Sequence, residues 1–322
     1  MKVFVTGASG FIGGHLVREL LRRCWAVCGL TRRRSPSDAP GLKHIRGDIT
    51  DRSLLEKELQ GTDVLIHLAS ALGSALIPRA EFFRVNAHGT RCLLEAAAAA
   101  GVRTVLHFSS AGVLGHVRRG DIAEEDYPLR PRDVYDRSKL EGEMIALEFA
   151  RRGLDLRIIR PGWVYGPGDR RTFKLVRAVA RGRFVLPGSG RTLQTPVHIS
   201  DLVAGALLCL EFGKKGEIYH LAGEEALSVR DMTEAIARAA GRKPPRLRLP
   251  LLPVKIGAWL MGAAFRLIKR EAPVSPSRLA FFIHPKPLSS RKATLDLGYR
   301  PRVKFEDGMR QTVRWYRDEG WL

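Results

Sequence analysis

Residues 1–13 read MKVFVTGASGFIG, and the reading of this stretch decides the fold. Val3, Phe4 and Val5 are a short apolar run of buried-strand character that breaks at Thr6-Gly7. From His15 to Arg23 the apolar residues recur with helical periodicity. Between strand and helix lie Gly7, Gly10 and Gly13 in GxxGxxG spacing, with Ser9, Phe11 and Ile12 completing the turn. Gly7 permits the tight turn, Gly10 lets backbone N–H groups approach a pyrophosphate, and Gly13 lets helix and strand pack closely. A diphosphate then rests on the positive end of the helix. Glycines also punctuate ordinary turns. The strand before them and the helix after them turn this triplet into a dinucleotide-binding expectation.

The 322 residues suffice for one large domain, or one with a smaller lobe, and 45% hydrophobic content is ordinary for a soluble globular chain. The formal charge of +21 is not ordinary. It suggests an anionic partner: a phosphorylated cofactor, nucleic acid or an anionic membrane surface. The arginines are scattered along the chain, and no zinc-finger spacing, RNA-binding aromatic signature or dense basic tail accompanies them, which excludes nucleic acid. Cys24, Cys28, Cys92 and Cys209 form neither a CxxC pair nor a disulfide framework, so reduced thiols in a cytoplasmic protein are expected. The histidines show no HExxH pattern, and no metal site is expected. Lys2 runs at once into the first strand, leaving no room for a signal peptide.

Along the chain, strands and helices alternate. Trp25 to Leu30 reads as a second strand, and the residues after it bear on cofactor choice. An acidic residue there would bind an adenosine 2′-OH, whereas arginine accommodates a 2′-phosphate. Thr31 is followed by Arg32, Arg33 and Arg34, with no acid before Asp38, so NADP(H) is favoured and NAD(H) is the alternative. Residues 44–48 form a short strand ending on Asp48, placed with Ile49 to meet the adenine. Asp51 to Leu59 follows as a helix, then Val64 to Leu68 as a strand closing on Ala69-Ser70, small residues that let the cofactor ribose lie against the backbone. Glu81 to Ala100 reads as one long helix carrying Asn86, a further candidate cofactor contact, and Val105 to Phe108 as the next strand. This alternation implies a parallel sheet with right-handed crossovers.

The strand at 105–108 delivers Ser109-Ser110 at its carboxyl end, where open α/β sheets place ligands. A helix beginning near Val134 carries Tyr135 and Lys139, which are i and i+4 and share a face. A free tyrosine, with pKa near 10, is a poor general base at neutral pH. A nearby lysine ammonium and a cationic nicotinamide would favour the phenolate. Lys139 also serves to hold the nicotinamide ribose. Tyr135 then exchanges the hydroxyl proton while hydride moves to or from the nicotinamide, and Ser110 orients the substrate oxygen.

The chain resembles an extended short-chain dehydrogenase/reductase of the NAD-dependent epimerase/dehydratase superfamily. The matching stretches are TGASGFIG at 6–13, GDITD at 47–51, HLAS at 67–70, HFSSAGVLG at 107–115, YDRSK at 135–139 and RPGWVYGPGD at 160–169. VHISDLVAGALL at 197–208 and LGYRP at 297–301 extend the match over nearly the whole chain. The resemblance implies an α/β fold, a Rossmann doubly wound parallel sheet with a smaller mixed C-terminal substrate lobe. Residues 1–165 with 196–223 would bind NADP, and 166–195 with 224–322 would bind substrate. It also implies that Pro161, Gly162 and Val164 line the nicotinamide end, and that a homodimer forms through helices near 86–100 and 135–150.

The departures narrow the reaction. Relatives that dehydrate sugars carry an Asp-Glu pair beside the catalytic Ser/Thr, where Ser110 is followed by Ala111-Gly112. Many UDP-sugar epimerases have Asn where this chain has Trp163 and Arg where it has Gln194. Their Arg-x-Gly-Asp segment is replaced by His284-Pro285-Lys286-Pro287. Fewer partners remain for a nucleotide diphosphate, and the chain is nearest to the 3β-hydroxysteroid dehydrogenase and dihydroflavonol reductase-like branch, whose substrates tend to be apolar ring systems. Residues 251–268, LLPVKIGAWLMGAAFRLI, fit an apolar wall, a packed lobe helix or an interfacial helix giving peripheral contact with the inner face of a membrane. Pro253, Lys255 and Arg266 argue against a span. Three functions stay open: a reversible alcohol dehydrogenase/ketone reductase on a small-molecule substrate, a sugar epimerase that retains its cofactor, and a non-catalytic dinucleotide sensor. The intact Ser110, Tyr135 and Lys139 favour an enzyme.

Overall fold

The computed structural model describes residues 1–32, 39–72, 76–268, 270, 272 and 276–322. The chain begins β1 (Lys2–Thr6), α1 (Phe11–Arg22), β2 (Ala26–Thr31), β3 (Lys43–Arg46), α2 (Arg52–Glu58) and β4 (Val64–His67). It continues through α3 (Arg79–Phe83), a π-helical turn at Arg84–His88, α4 (Gly89–Ala99), β5 (Thr104–Phe108), α5 (Val134–Arg151) and β6 (Leu156–Pro161). Next come β7 (Trp163–Tyr165), α6 (Arg170–Ala180), β8 (Leu186–Pro187), β9 (Leu193–Gln194), β10 (Pro196–His198), α7 (Ile199–Phe212) and β11 (Ile218–Leu221). The remainder is β12 (Leu227–Ser228), α8 (Val229–Ala239), β13 (Arg248–Leu249), α9 (Leu251–Leu267), α10 (Pro276–Ile283), α11 (Arg291–Leu297) and α12 (Phe305–Asp318).

Seven parallel strands form the central sheet in the order β11-β6-β5-β4-β1-β2-β3. Alternate side chains point to opposite faces. Phe4, Leu65 and Val105 pack under the layer of α2, α4 and α5, whereas Val3, Val5, Ile66 and Leu106 pack under α1, α7 and α11. After β3 the chain crosses back past β1 to lay down β4, so the strand order reverses between β1 and β4. Open α/β sheets bind ligands at the carboxyl side of such a switch point.

Two expectations change. The helix expected over 81–100 is interrupted by the π-helical turn at Arg84–His88. There Arg84 reaches Asp48 at 3.0 Å while Asn86, 1% exposed, turns inward. The residues expected in the C-terminal lobe divide between two cores. Tyr165, Val176, Ile236, Met309, Val313 and Tyr316 form one core beside α6, α8 and α12. Ala293, Leu297 and Tyr299 instead close the α7 face of the sheet, and the Tyr299 hydroxyl donates to the Ala222 carbonyl at 3.0 Å. Ala293 and Leu297 are i and i+4, the apolar spacing that lets α11 lie flat on that face.

A charged network is sealed between α5 and the sheet. Arg160 is 2% exposed and Glu143 fully buried. Arg160 donates from Nε (3.0 Å) and Nη2 (2.6 Å) to the two carboxylate oxygens of Glu143. Its Nη1 donates to the Glu125 carbonyl at 2.9 Å, and the Ser109 hydroxyl donates to Glu143 at 2.5 Å. The Glu125 carboxylate in turn accepts the His220 N–H at 2.7 Å. These bonds join α5, β6, β11 and the end of β5. Removing one member of a buried pair strands the other charge. Glu143→Ala is therefore expected to lower stability by about 3–5 kcal/mol, read from urea unfolding followed by circular dichroism.

Candidate active site

A cavity of about 1320 Å³ opens at the carboxyl edge of the sheet. Its first wall is the turn from β1 into α1. Gly7 has φ +72°, in the region that favours glycine, and a Cβ on Gly13 would sit 2.2 Å from the Gly7 carbonyl oxygen. Only glycine allows this approach. Gly10 is the N-cap of α1 without a side-chain cap, and the first turn carries no acidic residue, so its N–H groups suit an anion. The cradle fits a dinucleotide diphosphate. Gly7, Ser9, Gly10, Phe11, Ile12 and Gly13 all line the cavity.

The adenine end is lined by Arg32, Asp48 and Ile49. Arg32 lies 4.0 Å from Glu81, an exposed and loose pair that leaves its guanidinium accessible. Arg33 and Arg34 fall outside the described residues. Arg84 donates two hydrogen bonds to Asp48 at 3.0 and 3.1 Å, and with Thr50 holds its carboxyl well below the usual range. Asp48 is thus an anchored anion whose oxygens already have donors. Leu68, Ala69 and Ser70 form the floor, as expected. Asn86 does not join them. Its Oδ1 accepts from the Ala71 N–H (2.7 Å) and the Ser70 hydroxyl (3.0 Å), and its Nδ2 donates to Ser138 at 2.9 Å. Asn86 therefore ties the end of β4 to α5 behind the cavity wall, a correction to its expected cofactor contact.

Ser109, Ser110, Tyr135 and Lys139 come together on the opposite wall, beside Pro161, Gly162 and Val164. The Ser109 hydroxyl is committed to Glu143. Asp133 caps α5 by accepting the Asp136 N–H at 2.8 Å, which sets Tyr135 in the first turn. The Lys139 ammonium donates to the Phe108 carbonyl at 2.5 Å, and burial lowers its pKa to about 8. Burial likewise pushes the Tyr135 hydroxyl above its usual value. The principal opposing influence is the Arg171 guanidinium, followed by a hydrogen bond with Ser110. The expectation assigned that role to Lys139 and the cofactor; within the chain itself Arg171 performs it, because the Lys139 ammonium is drawn to β5.

Several residues of this end escape sequence reasoning. Asp169 caps α6, accepting the Thr172 N–H at 3.1 Å, and so places Arg171 on the cavity. Arg132 and Lys286 line the same end. Among the described residues none of these three forms an ion pair. Gln194 lines the cavity, but its Nε2 donates to the carbonyls of Phe281 (2.7 Å) and His284 (2.9 Å), which turns it into a strut. Trp163 packs 4.9 Å from Phe281, giving an aromatic wall.

Asp136 is the least foreseeable residue. A methyl group on Gly112 would meet Asp136 Oδ1 at 1.9 Å and Ser110 Oγ at 3.1 Å. A carboxylate supplied by α5 therefore stands where the acid-free loop at Ala111-Gly112 supplies none. Burial, with Asp133 beside it, raises its pKa to about 6 against the pull of Lys286. YxxxK spacing hides it, since residue 136 is not on the Tyr135–Lys139 face.

Among the described residues no group of side chains could hold a metal ion, and no helix is long and apolar enough to cross a membrane. All four cysteines are free. Residues 3–222 match the NAD dependent epimerase/dehydratase family. The chain is 31% identical to a 4-hydroxy-2-methyl-3-oxo-4-farnesyl-3,4-dihydroquinoline-1-oxide ketoreductase of Stigmatella aurantiaca, over 96% of this chain and 95% of that protein. It is 31% identical to sterol demethylase protein B of Methylococcus capsulatus, over the full length of both. The structure is similar to the dTDP-glucose 4,6-dehydratase DesIV of Streptomyces venezuelae, solved with NAD and DAU bound. That similarity has a TM-score of 0.80 and 31% identity, over 100% of this chain and 99% of that one.

The Asp136 carboxyl binds its proton more tightly folded than unfolded, between the ordinary 3.8 and about 6. Its contribution to stability is complete below the lower value and is lost as pH rises through the upper one. Asp136→Asn is expected to raise the melting temperature by about 2–4 °C at pH near 8, with the gain vanishing at pH near 4, in thermal melts at matched salt.

Proposed function

Because the chain belongs to the NAD dependent epimerase/dehydratase family, we propose that it is an NADP(H)-dependent oxidoreductase acting on a secondary alcohol or ketone of an apolar or cyclic substrate. The observation that carries this reading is the convergence of Ser110, Tyr135 and Lys139 on the same cavity as the glycine turn. The first turn of α1 holds the diphosphate, and Arg32 meets the 2′-phosphate. When bound, the nicotinamide supplies or accepts the hydride. Tyr135 gives or takes the proton at the substrate oxygen, aided by the positive field of Arg171. Ser110 donates to that oxygen as its charge develops. Lys139, anchored on Phe108, holds the nicotinamide ribose. Trp163 and Phe281 provide an apolar surface for the substrate ring, contributed by the expected substrate segments 166–195 and 224–322 and their borders.

A second reading, a nucleotide-sugar epimerase that keeps its cofactor, draws on Arg132, Arg171 and Lys286, cations that suit a diphosphate. The commitment of Gln194 to backbone carbonyls favours the first reading. Net cofactor turnover separates them. A reductase consumes NADPH in proportion to ketone, while an epimerase interconverts its substrate with nicotinamide absorbance unchanged. We further place homodimer formation on the helices near 86–100 and 135–150, where Met144 is exposed.

Tyr135→Phe is expected to lower kcat by about 10²–10⁴-fold while leaving NADPH affinity within about twofold, in steady-state assays and fluorescence titration. Full activity in that variant would remove the mechanism. Arg32→Ala is expected to weaken NADPH by about tenfold or more and NADH little, measured at fixed salt. Equal losses would show that Arg32 does not read the 2′-phosphate.

A further inference from the structure

α9 is an apolar helix standing in water. Of its described side chains only Ala258 is buried, whereas Leu252 is 69%, Trp259 61%, Leu260 55% and Ile256 52% exposed. Residues 252, 256, 259 and 260 are spaced i, i+4, i+7 and i+8, so these four make one stripe. Leu251 and Ile268 extend the exposed apolar surface at either end. A helix so apolar is ordinarily sealed inside a protein or a bilayer.

The flanking charge is all of one sign. From 242 to 270 the sequence holds Arg242, Lys243, Arg246, Arg248, Lys255, Arg266, Lys269 and Arg270, and no aspartate or glutamate. At 17 residues, with Pro253 and Lys255 inside it, α9 is too short and too charged to span. A second copy of this chain is disfavoured as occupant, because a two-fold contact through this patch would set each basic cluster against its own image. An anionic bilayer matches both features: the apolar stripe enters the acyl boundary while the cations meet headgroups.

We propose that α9 docks the protein in the plane of an anionic lipid surface, with Leu252, Ile256, Trp259 and Leu260 inserted and the basic residues of 242–270 on the headgroups. The docking helix is next to the cavity. α9 packs on α10, whose Ala280 and Phe281 line the cavity. Leu251 meets the β8 turn at Gly188, and the charge of Lys255 reaches His284 on the cavity wall. Docking therefore turns the substrate end of the cavity toward the lipid, a source of apolar substrates. The docking itself does not depend on the reaction proposed above.

The test is co-sedimentation of the full chain with vesicles of phosphatidylcholine alone and of phosphatidylcholine mixed equally with phosphatidylglycerol. The protein is expected to pellet with the mixed vesicles and stay in solution with the neutral ones, with binding weakening as salt rises. The Leu252→Glu/Trp259→Glu variant is expected to lose at least about tenfold in vesicle affinity while keeping its circular dichroism and NADPH binding. Arg242→Gln/Arg246→Gln/Arg248→Gln leaves the helix intact and is expected to flatten the salt dependence. Wild-type protein in the supernatant with both vesicles would overturn the proposal, as would equal binding to both. So would a concentration-dependent dimer in sedimentation velocity that the double glutamate variant dissolves, which would assign the stripe to a second copy.

Discussion

The pairing of Arg160 with Glu143 inside the molecule constrains almost everything at the active edge. Two opposite charges out of water are tolerated only when their hydrogen bonds are nearly complete, and here they are: Glu143 also accepts from Ser109, and Arg160 also donates to Glu125. Any slide of α5 along β6 would strand one of the charges. Tyr135 and Lys139 ride on α5, two turns or less before Glu143, and Ser109 precedes Ser110 by one residue. The pair thereby fixes the reacting groups relative to one another without touching the cavity contents.

Electrostatics divides the cavity into two ends of different character. At the adenine end each acid has a cationic partner. Arg84 is shared by Asp48 and Glu81, and Arg32 sits loosely against the latter. This end is close to neutral and selects by shape and by the accessible guanidinium. At the substrate end Arg132, Arg171 and Lys286 face Asp133 and Asp136 across an aromatic surface. Burial works there against every charged form: it pushes the Tyr135 hydroxyl and the Asp136 carboxyl up and the Lys139 ammonium down. Groups whose ordinary values are far apart are drawn toward the neutral range, where proton exchange is fastest.

What the sequence made legible was local. Strand and glycine turn were read from adjacent residues, and Tyr135 and Lys139 from a spacing within one helix. The central sheet follows from apolar runs whose periodicity needs no tertiary knowledge. The cofactor cavity contains the glycine turn, Arg32, Asp48 and Ser110 as expected. The rest depended on contacts between distant segments. Arg171 and Lys286 belong to loops that approach Tyr135 only after folding. Gln194 was read as a lost anchor, but its role as a strut comes from carbonyls some 90 residues away. Asn86 was rightly singled out and wrongly pointed, since a helix pattern cannot reveal a π-helical turn that rotates one residue inward. Hydropathy could not decide whether α9 is covered or bare, because both states use the same side chains.

The two faces of the sheet are completed at different times as the chain is made. The face under α2, α4 and α5 is built wholly from residues up to Ile158 in its buried set. The other face awaits Ile199, Leu202, Ala206, Leu221 and finally Ala293, Leu297 and Tyr299. A chain emerging from the ribosome therefore acquires a half-dressed sheet, six strands wide and greasy on one side, well before its cover is synthesised. Such surfaces attract chaperones and neighbouring chains. The late arrival of α11, seated on α7, makes the last part of translation the step at which this protein stops being vulnerable.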